Sequence, residues 1–474
     1  MPSRRPVLAL AAAACALSAL APAATFAQAP NVAGVDMSCV APVGDPAPGS
    51  PEWVQRDLEN MRCASLRNRD QLASPAFGFG NLAQGAAQYT EHLADELSHP
   101  TDPNGGLTTR VPGASAADPF RTIKRWTEAG RGRVAPVTFT ATNGSTLRGH
   151  VFAPPASYPR PARGFPGLVV TDGSVQAYEE LYFWAAEDLA ESGYVVMTYD
   201  VQGQGDSSLF GSDCPGPCSG VPYQQNYNFF QGAEDSLSFF TSARNPYADL
   251  LDRGRVAIAG HSLGAAAVSE VGQCDDRVRT IVAWDNLDPI TGCTGATYDP
   301  RHLRTGGPIH VPALGISGDY MFETDPHPTS APDPEAKLSG FKQVRDAGVD
   351  AMEVVMRNAT HLAYTYIPLV FQSNQLGERE ASYFTKAWLD YQLKRDTSGL
   401  ARLTAATYDD SVDRTSIGAG TYDPAKADPT DPYAGNVPYT IAGIPIKDAV
   451  SFYYRSAYSL QRGKVVCGDM RKGC

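Results

Sequence analysis

Arg255-Val256-Ala257-Ile258-Ala259-Gly260-His261-Ser262-Leu263-Gly264-Ala265-Ala266-Ala267-Val268 is the stretch whose reading decides the fold. Arg255 to Ala259 is a short apolar strand, and an Ala-rich helix starts almost at once, running from Leu263 to Val271. The joint between them, Gly260-His261-Ser262-Leu263-Gly264, reads G-x-S-x-G. In a chain with 44 Gly that pattern alone is a weak signal, but its place between strand and helix is specific. A strained strand-to-helix turn needs small residues two before and two after its serine, which Gly260 and Gly264 provide. Such a turn exposes the Ser262 hydroxyl. It also aims the Leu263 N–H, at a helix N-terminus, toward a developing oxyanion.

Outward from this joint, strands and helices alternate. Val137 to Ala141 and Thr146 to Ala153 alternate in hydrophobicity around the tight-turn pair Asn143-Gly144, which predicts a β-hairpin. Buried strands are expected at 167–171, 194–199, 255–259, 280–284, 313–317 and 351–356. Helices are expected at 177–192, 229–242, 262–271, 334–347 and 378–393. The expected class is α/β: a mostly parallel sheet opened by an antiparallel hairpin, helices on both faces, with N- and C-terminal extensions. The catalytic domain is expected over 131–395. It is preceded by an extension over 28–130, partly helical (51–67, 80–97), and followed by one over 396–474, Asp/Pro/Gly-rich and then Tyr-rich.

Composition excludes several functions. The chain has 51 Asp+Glu against 39 Lys+Arg, a net charge of −12, and so lacks the basic field of a nucleic-acid binder. Arg4, Arg5, the apolar stretch Val7 to Ala24 and small residues up to Ala27 read as a secretory signal peptide over 1–27. No stable membrane insertion is expected after its removal. Eight cysteines then remain as sequence neighbours: Cys39 and Cys63, Cys214 and Cys218, Cys274 and Cys293, Cys467 and Cys474. In an exported protein they read as local disulfides. Cys214-Pro-Gly-Pro-Cys218 lacks a second ligand pair for zinc, and the carboxylates of 423–438 lack regular calcium-loop spacing. No metal or other cofactor is expected.

From Val137 to Leu393 the chain resembles the α/β-hydrolase superfamily. The resemblance rests on the order of elements, the serine turn, and Asp200-Val201-Gln202-Gly203-Gln204-Gly205-Asp206-Ser207, similar to the family's D-x-R-G-x-G-x-S with Gln202 in place of Arg. Among its branches the chain looks closest to dienelactone-hydrolase-like and cutinase-like secreted esterases. The resemblance implies the chain order Ser, acid, His. His92, His99 and His150 precede Ser262, and His261 is the variable residue of the serine turn. His302 and His310 fall before the strand 313–317, and His327 shares a loop with the candidate acids. His361, just past the last strand, is therefore the expected base. Asp319, the first carboxylate after 313–317, is the expected acid, with Asp285, Glu323 and Asp325 as alternatives. The family's second oxyanion donor maps onto the Ser174 N–H in Thr171-Asp172-Gly173-Ser174. Trp284 and Tyr178 are candidates to line an acyl pocket.

The expected activity is hydrolysis of a small or polymeric carboxylic ester through an acyl-enzyme. The competing readings are a serine peptidase or amidase on the same fold, and a non-catalytic binding protein on a hydrolase scaffold. The segment between Trp284 and Ala313 is too short for a large helical lid, so an open cleft is expected. Nothing in the sequence sets an oligomeric state.

Overall fold

The computed structural model describes residues 45–72, 123–174, 177–208, 226–304, 306–307, 309–321, 324–327, 330–365, 375–409, 421–422, 425, 436–437 and 441–474. The signal-peptide reading, the helix at 80–97, the Cys214/Cys218 pair, Cys39, Glu323 and most of the acidic loop at 423–438 lie outside these residues.

Helix α1 (Pro51–Leu72) and the short α2 (Ile123–Glu128) precede an antiparallel hairpin, β1 (Arg133–Thr140) and β2 (Thr146–Ala153). Then follow β3 (Phe165–Thr171), α3 (Phe183–Glu191), β4 (Val195–Tyr199), α4 (Asn226–Phe240), β5 (Leu251–His261), α5 (Leu263–Cys274) and β6 (Val278–Trp284). A long irregular arm leads to β7 (Ala313–Tyr320), α6 (Ser339–Asp346), β8 (Ala351–Thr360), α7 (Gln375–Leu389) and α8 (Thr397–Leu403). The C-terminal part holds a two-stranded ribbon, β9 (Thr421–Tyr422) with β10 (Asn436–Val437), and the one-turn α9 (Ile446–Ala449). Strands β11 (Ala457–Leu460) and β12 (Val465–Cys467) close it.

One ten-stranded sheet organises the molecule, in the order β1-β2-β4-β3-β5-β6-β7-β8-β11-β12. Neighbours from β4 through β8 pair in parallel, while the hairpin at one edge and β11–β12 at the other pair antiparallel. Central strands such as β3 and β4 are buried at every position. This is the signature of a sheet covered on both faces. The order doubles back between β3 and β4, so the strand ends meet in a crevice beside β3 and β5. Open α/β sheets carry their sites at such a reversal.

The two core layers are aromatic-rich. On one side Trp184, Trp284 and Trp388 pack with Tyr178, Tyr182 and Tyr364; on the other Phe139, Phe229 and Phe240 surround Val169 and Met197. Trp388 on α7 is 0% exposed and its indole N–H donates to Thr280 Oγ1 at 2.7 Å. Removing a buried indole costs the transfer of its surface and leaves a cavity. Trp388→Ala should therefore lower unfolding stability by about 3–5 kcal/mol, read from urea denaturation. A change below about 1 kcal/mol would mean that this layer is not the core.

The arm between β6 and β7 contains no helix among its described residues. It is tied down by a Cys274–Cys293 disulfide and by Glu270 Oε1, which accepts the Thr294 and Gly295 N–H groups at 2.9 and 2.5 Å. A second disulfide joins Cys467 to Cys474, and Cys63 is also disulfide-bonded. At the other end of the chain, α1 is fixed across the ends of β7 and β8. Asn60 donates to Asp319 Oδ2 and to the Tyr320 hydroxyl, and accepts from Arg357 Nε at 2.9 Å, while Trp53 packs on Tyr453.

Candidate active site

The site assembles where β5 breaks into α5. Ser262 has φ 56° and ψ −122°, a left-handed backbone that costs a non-glycine residue on the order of 1–3 kcal/mol. The surroundings hold it there. Its N–H donates to Trp284 O at 3.0 Å, and its carbonyl accepts the first helical N–H groups, from Ala265 and Ala266. Both flanking glycines are obligatory. A Cβ on Gly260 would sit 2.4 Å from Gly264 O, and one on Gly264 would sit 2.2 Å from Asp172 O.

The turn presents Ser262 Oγ to His361 Nε2 at 2.8 Å. The other ring nitrogen, His361 Nδ1, lies 2.5 Å from Asp285 Oδ2. Asp285 is the first residue after β6, and its N–H donates to Ile316 O at 2.7 Å. His361 follows β8 directly, and its N–H is shared between Tyr320 O and Met321 O. The ends of β5, β6 and β8, with β7 lying between the last two, thus deliver serine, carboxylate and imidazole to one point. A serine, a base and an orienting carboxylate in hydrogen-bonded series form the arrangement that activates a hydroxyl for attack on an acyl carbon.

No family model matches the chain. It is 33% identical over 146 residues to the α/β hydrolase ucsC of an Acremonium species, covering 30% of this chain and 27% of the relative. It is 26% identical over 180 residues to the α/β hydrolase psoB of Aspergillus fumigatus, covering 38% of this chain and 37% of the relative. The fold is that of the α/β-hydrolases. The chain spans about a third of the length of the curated relatives it matches.

Within this α/β-hydrolase fold the carboxylate on His361 is not the expected Asp319. Strand β7 continues past Ser317 to Tyr320, so Asp319 lies inside the strand and not in the loop beyond it. Its Oδ2 accepts the Asn358 N–H at 2.9 Å and the Asn60 side chain at 3.2 Å, and burial pushes its carboxyl above the ordinary range. Asp325 is exposed. Among the described alternatives, Asp285 is the one that meets the imidazole.

The electrostatics favour an ionised Asp285. Burial works against its charge, but Lys337 Nζ at 3.5 Å from Oδ1 and the bond to His361 outweigh it and hold the carboxyl well below the usual range. Lys337, itself mostly buried and over the Tyr454 ring, is a cation that sequence reading did not single out. It sits just before α6, and nothing in the local pattern marks it. Behind it lies Glu353, whose carboxyl accepts from Ser317 Oγ. Burial pushes Glu353 up to about 8, which favours its neutral form and weakens its competition with Asp285 for Lys337.

The loop read as the second oxyanion donor does reach the serine turn. A Cβ on Gly173 would sit 3.1 Å from Ser262 Cβ, which puts half-buried Ser174 beside the elbow. Leu263 is the first residue of α5, where an N–H has no intrahelical acceptor. The pocket expectation fares differently. Trp284 is 0% exposed with its N–H on Thr385 Oγ1, and Tyr178 is 1% exposed. Both rings are core, and neither offers a face to an open cleft. Of the other described histidines besides His261, His150 pairs with Glu179, His302 with Asp276, His310 donates its N–H to Gln273 Oε1, and His327 lies within the aromatic cluster of Trp53, Tyr320 and Tyr453.

Proposed function

We propose that this chain is a secreted serine hydrolase that cleaves carboxylic esters through an acyl-enzyme. The observation that carries the reading is the continuous series Ser262 Oγ, His361 Nε2, His361 Nδ1, Asp285 Oδ2, at 2.8 and 2.5 Å. His361 Nε2 takes the hydroxyl proton as Ser262 Oγ bonds to the ester carbonyl carbon. The Leu263 and Ser174 N–H groups receive the oxyanion, and Asp285 stabilises the imidazolium. Collapse breaks the bond to the alcohol oxygen, which leaves with the proton from Nε2. Water, deprotonated by His361, then attacks the acyl carbon and frees Ser262. No step calls for a cofactor. Two α/β-hydrolase relatives support a hydrolase, and the arm between β6 and β7, with no helix among its described residues, supports an open cleft for small or polymeric esters.

A nitrophenyl-ester assay beside a peptide-anilide assay tests the reaction class. Turnover of the ester alone is expected; turnover of the anilide at a comparable rate would make the chain an amidase. Burial pushes His261 down to about 3, and Lys337 with His361 holds Asp285 well below the usual carboxylate range, so neither group changes charge between pH 5 and 9 and neither should add an ionisation to the pH profile of turnover there. Export is supported by the leader-like N-terminus and the disulfides. The purified protein should show no reactive thiols when denatured without reductant, and two or more would contradict an oxidising compartment.

A further inference from the structure

His261, the residue before the nucleophile, faces away from the reaction and is 3% exposed. Its Nε2 lies 2.8 Å from the carbonyl oxygen of His361, and its Nδ1 lies 2.9 Å from the Tyr182 hydroxyl. The same hydroxyl accepts the Gly173 N–H at 3.0 Å. The bond directions are fixed by what each atom can do. A carbonyl only accepts, so Nε2 carries the ring proton. A neutral ring then has a bare Nδ1, so Tyr182 O–H donates to it and uses a lone pair for Gly173. Burial, with the His361 ring close by at 4.7 Å, keeps His261 neutral. Tyr182 is itself 0% exposed and stacked on Trp284. The Gly173 carbonyl is held from the other side by Gln204 Nε2 at 2.7 Å.

The chain of bonds therefore joins three segments that contribute to the reaction: the oxyanion loop at Gly173-Ser174, the turn at His261-Ser262, and the loop carrying the base. The base loop is gripped at both backbone groups of His361, its N–H by Tyr320 and Met321 and its C=O by His261. We propose that Tyr182 and His261 are positioning residues that lock the oxyanion donors and the base at one spacing around Ser262. The proposal rests on the Ser262–His361 reading above. Neither residue touches substrate. Their effect reaches the reaction through the placement of Ser174 N–H and His361 Nε2, where an error near 1 Å can cost about 100-fold.

The test is Tyr182→Phe, which removes one oxygen and keeps the ring on Trp284, beside His261→Gln and the double variant. With a nitrophenyl ester, kcat should fall about 10- to 100-fold in each single variant with KM within about threefold. The pH dependence of kcat should keep its shape, because Asp285 and His361 still face each other. The double variant should be no worse than about threefold below the weaker single, as for residues that act as one unit. A Tyr182→Phe kcat within threefold of the parent, or losses that multiply, would overturn the proposal. A second readout needs no turnover. In ¹⁵N-histidine spectra of the unmodified protein, His261 should remain the neutral Nε2–H tautomer from pH 5 to 9. A His261 ring that titrates in that range overturns the relay even if the protein hydrolyses no ester. A fixed tautomer without Ser262-dependent turnover would leave the relay standing and sink the function instead.

Discussion

Ser262→Ala is expected to lower ester turnover by a factor on the order of 10⁶, the loss seen when a triad nucleophile is removed. The size follows from what is left. Without Oγ, His361 can only deprotonate water, and the oxyanion donors Leu263 and Ser174 act on a reaction that no longer passes through an acyl-enzyme. The fold should survive. Ser262 holds its backbone through the bonds to Trp284, Ala265 and Ala266, all of which alanine keeps, and its side chain makes one described contact, to His361. The measurement is kcat on a nitrophenyl ester together with thermal melting. A variant that melts normally yet retains a tenth of the activity would place the nucleophile elsewhere.

The serine and the histidine were legible in the sequence because each is marked by backbone requirements that side-chain chemistry cannot fake. Gly260 and Gly264 are there because a Cβ on either would collide with backbone. His361 is marked by its place a few residues after the mostly apolar segment Ala351 to Met356, and the strand β8 that contains this segment is wholly buried. The sheet was readable because β3 and β4 are apolar runs of the length that central strands need, and β7 and β8 begin with mostly apolar ones. The hairpin β11–β12 was not, because a four-residue and a three-residue strand carry too little periodicity to stand out from a loop. His261 and Tyr182 were passed over for a further reason. Their role is a bond to backbone, and the sequence gives no sign of which carbonyl or amide will lie opposite a buried ring.

The acid is where local reading failed, and the cause is strand length. Gly318-Asp319-Tyr320 has the look of a strand ending at Ser317, yet α1 packs its Asn60 and Trp53 onto this edge and β7 stays paired with β8 as far as Tyr320 and Thr360. A contact between residues 260 apart in the chain decides the matter, and no window of sequence contains it. The consequence is testable in one pair of variants. Asp285→Asn should cost on the order of 10⁴ in kcat, as for the corresponding change in a comparable triad, which is about 5.5 kcal/mol of barrier. The carboxamide would turn its N–H₂ toward His361 Nδ1 or present a weaker acceptor. In the first case the ring is driven to carry its proton on Nε2, facing Ser262 Oγ, and it cannot take a second. It also strips Lys337 of its counter-charge in a mostly buried place. Asp319→Asn should cost less than about tenfold, since Asp319 bonds Asn60 and the Asn358 backbone and its effect is on the seating of α1, read as a lowered melting temperature. Glutamine at 285 would be a poorer test, because its longer side chain adds a misplacement to the lost charge. If Asp319→Asn is the crippling change and Asp285→Asn is mild, the carboxylate on His361 is not the one that works, and only the Ser262–His361 pair would stand.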